Sequence, residues 1–392
     1  MTKKYNYTDI VLPLCGILLV AINLRPVITA VGPIMPRLGS DLTLNASQLG
    51  LLGALPIAMF AIVSAGSQAI IARFGVERTT AGALALLTLG TLWRSWPGAS
   101  ANLWAGTALI GATIAVGNVA VPVIVKKVFP HAMALVTSIY VAVLGIFAGL
   151  AAAVAVPLAD SSSWSWRLSL GVWAVLTLVG AFYWAVHAAH AHQEQQSRSR
   201  HRGTRKINIW RNLAAWQIAT YMGVQSSVFY VSLTWLPSVE QGLGVSPVAA
   251  GWHMFLLQIA GVVGNLAAPV LMRIGRDQQF AAVLPGLLFV VALAGIYFHP
   301  AWLVFWDAVL GLGTGTAFVV SLSLIAMRAG DVSTASRLSS MAQAIGYGIT
   351  ALNLYVAGLV EGLNPLAPLA VLSLAGVCVL VMGLFAGRQQ RL

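Results

Sequence analysis

The chain is a succession of apolar runs, each about as long as the roughly 20 residues a helix needs to cross a bilayer. Scanning finds twelve, at residues 10–37, 47–72, 79–96, 102–128, 132–158, 166–187, 212–237, 247–272, 279–298, 301–327, 334–360 and 367–387. A soluble protein has no means of burying all of them at once. Only 8% of the 392 residues are charged and 59% are hydrophobic, against roughly 25% charged in ordinary soluble domains. The solvent for most of this chain is therefore lipid, where every backbone polar group must be satisfied internally. That requirement predicts an all-α membrane protein of twelve transmembrane helices.

The net charge of +12 could suggest a nucleic-acid partner, but the basic residues sit in short connections between runs. If the N-terminus is inside, the cytoplasmic segments hold Lys3, Lys4, Arg73, Arg78, Lys126, Lys127, Arg198, Arg200, Arg202, Arg205, Lys206, Arg211, Arg273, Arg276, Arg328, Arg337, Arg388 and Arg391. The outer connections hold Arg37, Arg94 and Arg167, and Arg25 lies within a run. This asymmetry predicts both termini in the cytoplasm, with Asp160 and Glu240 outside, and no nucleic-acid partner is expected. Lys3 and Lys4 precede the first run as they would in a signal peptide. Yet that run is too long for one and carries Arg25 and Pro26 at its middle, so a retained helix is expected.

One polar stretch, His187 to Asn212, is long enough to be a linker. It divides the chain into an N-terminal six-helix bundle (1–187), a cytoplasmic linker (188–211) and a C-terminal six-helix bundle (212–392). Its histidines, His187, His190 and His192, lack the cysteines or carboxylate pair of a metal tract, so a solvated segment near anionic headgroups is expected. Cys15 and Cys378 each lie alone in an apolar run and read as small buried residues. The halves repeat: Arg73-Phe74-Gly75 recurs as Arg273-Ile274-Gly275, and Gly111 is matched by Gly311. A shared offset of 200 from two separate places points to a duplicated six-helix unit, as in many secondary transporters.

Arg25 is the candidate that stands out chemically. It lies near mid-membrane, where an arginine costs at least about 2.5 kcal/mol and cannot shed its proton. Asp307 lies only a turn or two inside its run, and Asp9 and Glu361 are at run ends, so a permanent carboxylate partner is poorly supplied. Arg25 is then either held by carbonyls or a tyrosine for packing, or is a fixed positive charge facing an anion or electron-rich solute in a cavity. Adding 200 gives Gln225, which either faces Arg25 across a pseudo-twofold or joins two helices. Asn118, Tyr140, Tyr230, His253, Gln258, Gln343 and Tyr347 are at comparable depth, and Gln343 and Tyr347 share a helix face at i, i+4. Pro26 and Pro122 loosen the helix beside Arg25 and Asn118. His253 is the histidine inside a run, either a packing residue or a proton site.

Other chemistries are not signalled. Gly311-Leu312-Gly313-Thr314-Gly315 has no strand before it and no phosphate-binding lysine, so close helix packing is expected and ATP is not. Nothing supplies paired catalytic carboxylates, a nucleophile with its base or a metal cluster. No enzyme activity, metal or cofactor is expected.

Several stretches are specific. They are Asn23-Leu24-Arg25-Pro26 followed by Val31-Gly32-Pro33; Arg73-Phe74-Gly75-Val76-Glu77-Arg78; and Gly117-Asn118-Val119 through Pro122 to Lys126-Lys127-Val128-Phe129-Pro130. To these add Tyr230 with Trp235-Leu236-Pro237, Gln258, and Met341-Ala342-Gln343-Ala344-Ile345-Gly346-Tyr347. Over essentially its whole length the chain resembles the major facilitator superfamily, and more narrowly its cyanate permease and 2-nitroimidazole transporter family. It departs from the wider superfamily at Ala72, where an Asp is usual before Arg-x-Gly, and at Leu144-Gly145-Ile146-Phe147, where drug antiporters carry Gly-Pro. The resemblance implies two pseudo-symmetric bundles and alternating-access transport of a small planar anion or polar solute. Arg25 would bind the negative end, Asn118, Gln225, Gln258, Gln343 and Tyr347 would complete the hydrogen bonds, and Phe229, Tyr230 or Trp235 would stack on a planar ring. A bacterial inner membrane, a monomer and a small-molecule substrate are implied. A drug or metabolite exporter and, from another class, a membrane-embedded transferase are the competing readings.

Overall fold

Apolar runs without helix breakers fold as single helices, and the runs interrupted by proline or glycine fold as broken ones. A computed structural model describes residues 7–130, 132–190, 208–275, 277–329 and 332–388. The first span is assembled from α1 (Tyr7–Leu24), α2 (Pro26–Thr29), a 3-10 turn (Gly32–Ile34) and α3 (Met35–Leu42). Single helices follow: α4 (Ala46–Phe74), α5 (Val76–Ser95), α6 (Ala101–Val128) and α7 (Met133–Asp160). The sixth span is split into α8 (Trp166–Gly171) and α9 (Ala174–His190). The second half comprises α10 (Leu213–Gly242), α11 (Pro247–Leu271), α12 (Gln279–Phe298), α13 (Leu303–Arg328), α14 (Val332–Glu361) and α15 (Pro368–Ala386), and no strand occurs among the described residues.

Ten spans are long and apolar enough to cross a membrane. The other two, α5 and α10, run 20 and 30 residues, long enough at about 1.5 Å per residue, which completes the twelve. Their lower hydropathy has a cause: α5 buries Thr79, Thr80, Thr88, Thr91 and Arg94, and α10 buries Gln225, Ser226, Ser227, Ser232 and Glu240. These polar groups face protein, not lipid.

The halves pack alike. Gly75 and Gly275, 200 residues apart, both hold positive φ, 83° and 88°, a conformation glycine alone adopts cheaply. Gly111 lets α6 approach α4, since a Cβ there would lie 2.6 Å from Pro56 Cα. Gly311 does the same between α13 and α11, at 2.2 Å from Leu257 O. Two six-helix bundles result, touching chiefly through α4 with α14 and α7 with α11.

The bundles meet closely on one side. A Cβ on Gly358 would lie 2.3 Å from Gly50 Cα, one on Gly32 2.1 Å from Leu233 O, and one on Gly251 2.7 Å from Ala152 O. All three contacts lie toward the face where α4 and α11 begin. Toward the opposite face, Gly66 of α4 has open space where a Cβ would point, and Thr137, Ser138 and Ile139 of α7 are exposed in succession. The molecule is closed on the first face and looser on the second.

Three sequence expectations are corrected. Arg94 is no loop residue but lies in the last turn of α5, 2% exposed. Glu240 is fully buried because α10 continues past the apolar run to Gly242. Cys15 is exposed, on the outside of the bundle. The expected linker falls largely on 191–207, outside the described residues, as do Lys3, Lys4, Arg276 and Arg391.

Candidate functional site

Pro26 has no N–H to continue the helical ladder, and α1 stops at Leu24. Arg25 occupies the junction, with its carbonyl accepting from the N–H groups of Ile28 and Thr29 at 2.9 and 3.0 Å. The Thr29 hydroxyl donates to Ala148 O at 2.8 Å, fixing the break to α7. The break turns the Arg25 side chain toward the other bundle.

There Arg25 Nη1 donates to the Tyr230 hydroxyl at 2.6 Å. Its guanidinium also lies 5.0 Å from the Phe229 ring centre and 5.1 Å from that of Tyr230. Such contacts are worth about 2 kcal/mol each when desolvated, which offsets part of the cost of burying the charge. The residue is 9% exposed, and no ion pair among the described residues includes it. Tyr230 in turn packs edge-on against Phe60 at 6.3 Å and Tyr347 at 6.5 Å, with Phe60 and Tyr347 5.4 Å apart. An aromatic cluster thus joins α4, α10 and α14 across the bundle interface beside the charge.

A cavity of about 580 Å³ opens at this point, lined by Arg25, Gln225, Phe229, Tyr230, Gln258 and Tyr347, all expected from the sequence. Ser226, Asn265 and Thr314 line it too and were not anticipated, nor was Phe60 in the cluster beside it. No carboxylate lines it. Gln225 Nε2 donates to Ser226 Oγ at 2.9 Å, whereas Gln258 Nε2 is buried with no partner. An unfilled amide donor and an unpaired cation therefore share one cavity.

Three expected residues do not line it. Asn118 stays part-buried in α6. Trp235 is 1% exposed, its ring 2.9 Å from where a Gly358 Cβ would lie, so it fills the closed bundle interface. Gln343 donates to Ser339 Oγ at 3.1 Å on its own helix, a turn before Tyr347. The depth of these residues was legible; which neighbour each side faces was not.

His253 also lies away from the cavity, in a separate cluster. Its Nδ1 is 2.7 Å from Glu240 Oε2 and 3.6 Å from Asp307 Oδ2, with both carboxylates fully buried. One ligand atom from each of the three lies within 4.8 Å of the others, and this is the single such group among the described residues. It could enclose a shared proton or a small cation. The short connection between α10 and α11 is the signal that could have found it, because a tight helical hairpin brings residues on either side of its turn together. At the opposite end of the N-terminal half, Glu77 pairs with Lys127 at 2.8 Å, both partly exposed, and ties α5 to α6.

Twelve spans in two like halves, closed on one side over a buried and unpaired cation, define a multi-pass membrane carrier. The chain belongs to the Major Facilitator Superfamily, which it matches over residues 17–351, and is a transporter of that type. It is 34% identical over 384 residues to a 2-nitroimidazole transporter of Escherichia coli (strain K12), covering 97% of this chain and 96% of that protein. It is 27% identical over 349 residues to the cyanate transport protein CynX of the same organism, covering 89% of each. Among solved structures it is similar to a D-xylose-proton symporter, with a TM-score of 0.71 at 13% identity over 97% of both chains. That likeness establishes the fold alone.

Proposed function

We propose that this transporter carries a small planar solute with an anionic or oxygen-rich end, cyanate-like or 2-nitroimidazole-like, by alternating access. The observation that carries the reading is Arg25, a buried guanidinium with no carboxylate partner, facing a cavity that also holds the unfilled Gln258 Nε2 donor. Arg25 would take the oxygen or nitrogen end of the solute through its planar fork. Gln225 and Gln258 would supply further hydrogen bonds, and Phe229, Tyr230 and Tyr347 would pack on the flat face. A drug exporter working through a membrane carboxylate is disfavoured by a lining that lacks one. The similarity to relatives named for cyanate and 2-nitroimidazole supports the same class of solute.

Charge sets the energetics. Bringing one negative charge inward costs about 2.3 kcal/mol per 100 mV of inside-negative potential, so uptake of an anion needs a gradient, consumption or a proton. We assign the proton to the Glu240, His253 and Asp307 cluster, because two fully buried carboxylates this close to one imidazole cannot all carry isolated charge. The protein would sit in a bacterial inner membrane with both termini and the linker in the cytoplasm, working as a monomer without ATP. Counterflow in proteoliposomes with cyanate, nitrate and 2-nitroimidazole tests the assignment. Exchange of at least one without chemical change is expected; chemical conversion would indicate a transferase, and no exchange of any would defeat the proposal.

A further inference from the structure

Arg25 is not alone in being a buried cation without a counter-charge. Arg94, 2% exposed at the end of α5, donates from Nη1 to Val27 O at 2.7 Å, while its Nε and Nη2 have no partner. No ion pair among the described residues includes it. It lines a second space of about 380 Å³, separate from the central cavity, with Val31, Leu52, Gly53, Thr107 and Thr234. Thr107 is 3% exposed and its Oγ1 is likewise unpartnered. Two unmatched polar groups, one of them permanently charged, therefore border one void.

The bond to Val27 has a local cause. Val31 N–H turns to Ile28 O at 3.2 Å, so the break leaves the Val27 carbonyl free to accept from Arg94. The anchor engages one end of the guanidinium and leaves the rest of the fork unengaged beside the void. Water could satisfy those N–H donors but not the charge, and a guanidinium cannot discharge itself by losing a proton. We propose that this void is a second anion site, selective for a small, weakly hydrated monovalent anion such as a halide, nitrate or cyanate. Arg94 would bind through Nε and Nη2, and the Thr107 hydroxyl would donate a further hydrogen bond. The apolar walls, Val31 and Leu52, disfavour strongly hydrated multivalent anions such as sulfate.

Its position gives the site a role. Arg25 and Arg94 grip the first span on either side of its break, one at residue 25 and the other at the carbonyl of residue 27. The void is roofed by Thr234 of the other bundle, one turn beyond Tyr230, and a Cβ on Gly53 would lie 2.9 Å from Thr234 Cγ2. Separating the bundles on the closed side withdraws Thr234 and opens the void. An anion crossing that side meets Arg94 as a station before or after the central cavity. The site stands whether or not Arg25 binds the transported solute.

The test uses the purified full-length chain. Crystals of the parent and of Arg25→Ala soaked in sodium bromide should both show an anomalous peak within hydrogen-bond distance of Arg94 Nε or Nη2 and Thr107 Oγ1. Nitrate should raise the melting temperature at constant ionic strength where sulfate does not, and Thr107→Val, which leaves the Val27 bond intact, should raise the nitrate concentration needed about tenfold. Arg94→Gln should abolish both signals. If that variant fails to fold, the bromide peak and the Thr107→Val shift decide alone. A parent crystal with bromide only beside Arg25, or none, overturns the proposal, as does a nitrate response that Thr107→Val leaves unchanged.

Discussion

Replacing Tyr230 by Phe isolates the one strong bond that holds Arg25 in the empty transporter. The substitution removes the oxygen at 2.6 Å from Nη1 and keeps the ring, so the 5.1 Å cation–π contact and the edges against Phe60 and Tyr347 survive. A hydrogen bond to a charged group contributes about 1.5–3 kcal/mol, and the unliganded variant should lose stability of that order. A bound anion would return a partner to the vacated donor, so ligand affinity should rise by about tenfold, the equivalent of 1.4 kcal/mol. The melting temperature without ligand should fall below the parent's, and the ligand-induced rise should be larger than the parent's, since stabilisation follows binding to the folded state. Equilibrium binding on the same preparations gives the dissociation constants. Unchanged unliganded stability would mean the bond contributes nothing, and weaker binding would mean the phenol itself donates to the ligand. Either result refutes the reasoning.

The closed face supplies a second test. Gly358→Ala places a Cβ 2.3 Å from Gly50 Cα, so it should hold the bundles apart there, reducing transport at least tenfold while retaining ligand binding and increasing cysteine accessibility on that side. His253→Ala should leave ligand binding within about threefold of the parent, because the residue lies outside the cavity. Glu240→Gln, which removes the carboxylate 2.7 Å from the imidazole, should flatten any dependence of uptake on pH between about 5 and 8, where histidine titrates; parent-like pH dependence in both variants would remove the cluster from coupling. For orientation, in a Cys15→Ser, Cys378→Ser background, an impermeant thiol reagent applied outside should label a cysteine at Asp160 and not at Arg202, and the reverse pattern would invert the topology.

Helix number, the duplicated halves and the break in the first span were all readable from the chain. The break follows from Pro26 beside a mid-run arginine, and the repeat from Gly75 and Gly275, which share a backbone conformation as well as an offset. The cavity was readable in depth but not in azimuth. A helix in this bundle has a cavity face, a packing face and a lipid face, and the last two are equally apolar, so periodicity cannot separate them. That is why Gln258 and Tyr347 reach the cavity while Gln343 bonds to its own helix and Trp235 seals the interface. The small polar residues Ser226 and Thr314 were passed over because hydroxyls in a membrane helix usually satisfy themselves on the preceding turn, as Thr314 does with Gly311 O at 2.8 Å. Arg94 and Glu240 were assigned to connections because the end of an apolar run was taken as the end of burial. Helices α5 and α10 continue inside the protein at those points.

The account rests on Arg25 meeting the solute, and ligand-dependent stability of Arg25 variants measures that most directly. Arg25→Ala and Arg25→Lys should both remain folded in the membrane, because Arg25 makes one side-chain hydrogen bond and no ion pair among the described residues. Lysine keeps the charge but replaces a planar fork of donors by a compact ammonium. Removing an unpaired mid-membrane guanidinium costing about 2.5 kcal/mol or more should leave Arg25→Ala at least as stable as the parent. The ligand identified by counterflow should raise the melting temperature of the parent and of neither variant, and uptake should fall at least a hundredfold in both. An Arg25→Ala protein that binds the ligand as the parent does, or that cannot fold, would make Arg25 structural and move the substrate site to Gln225, Gln258 and Tyr347.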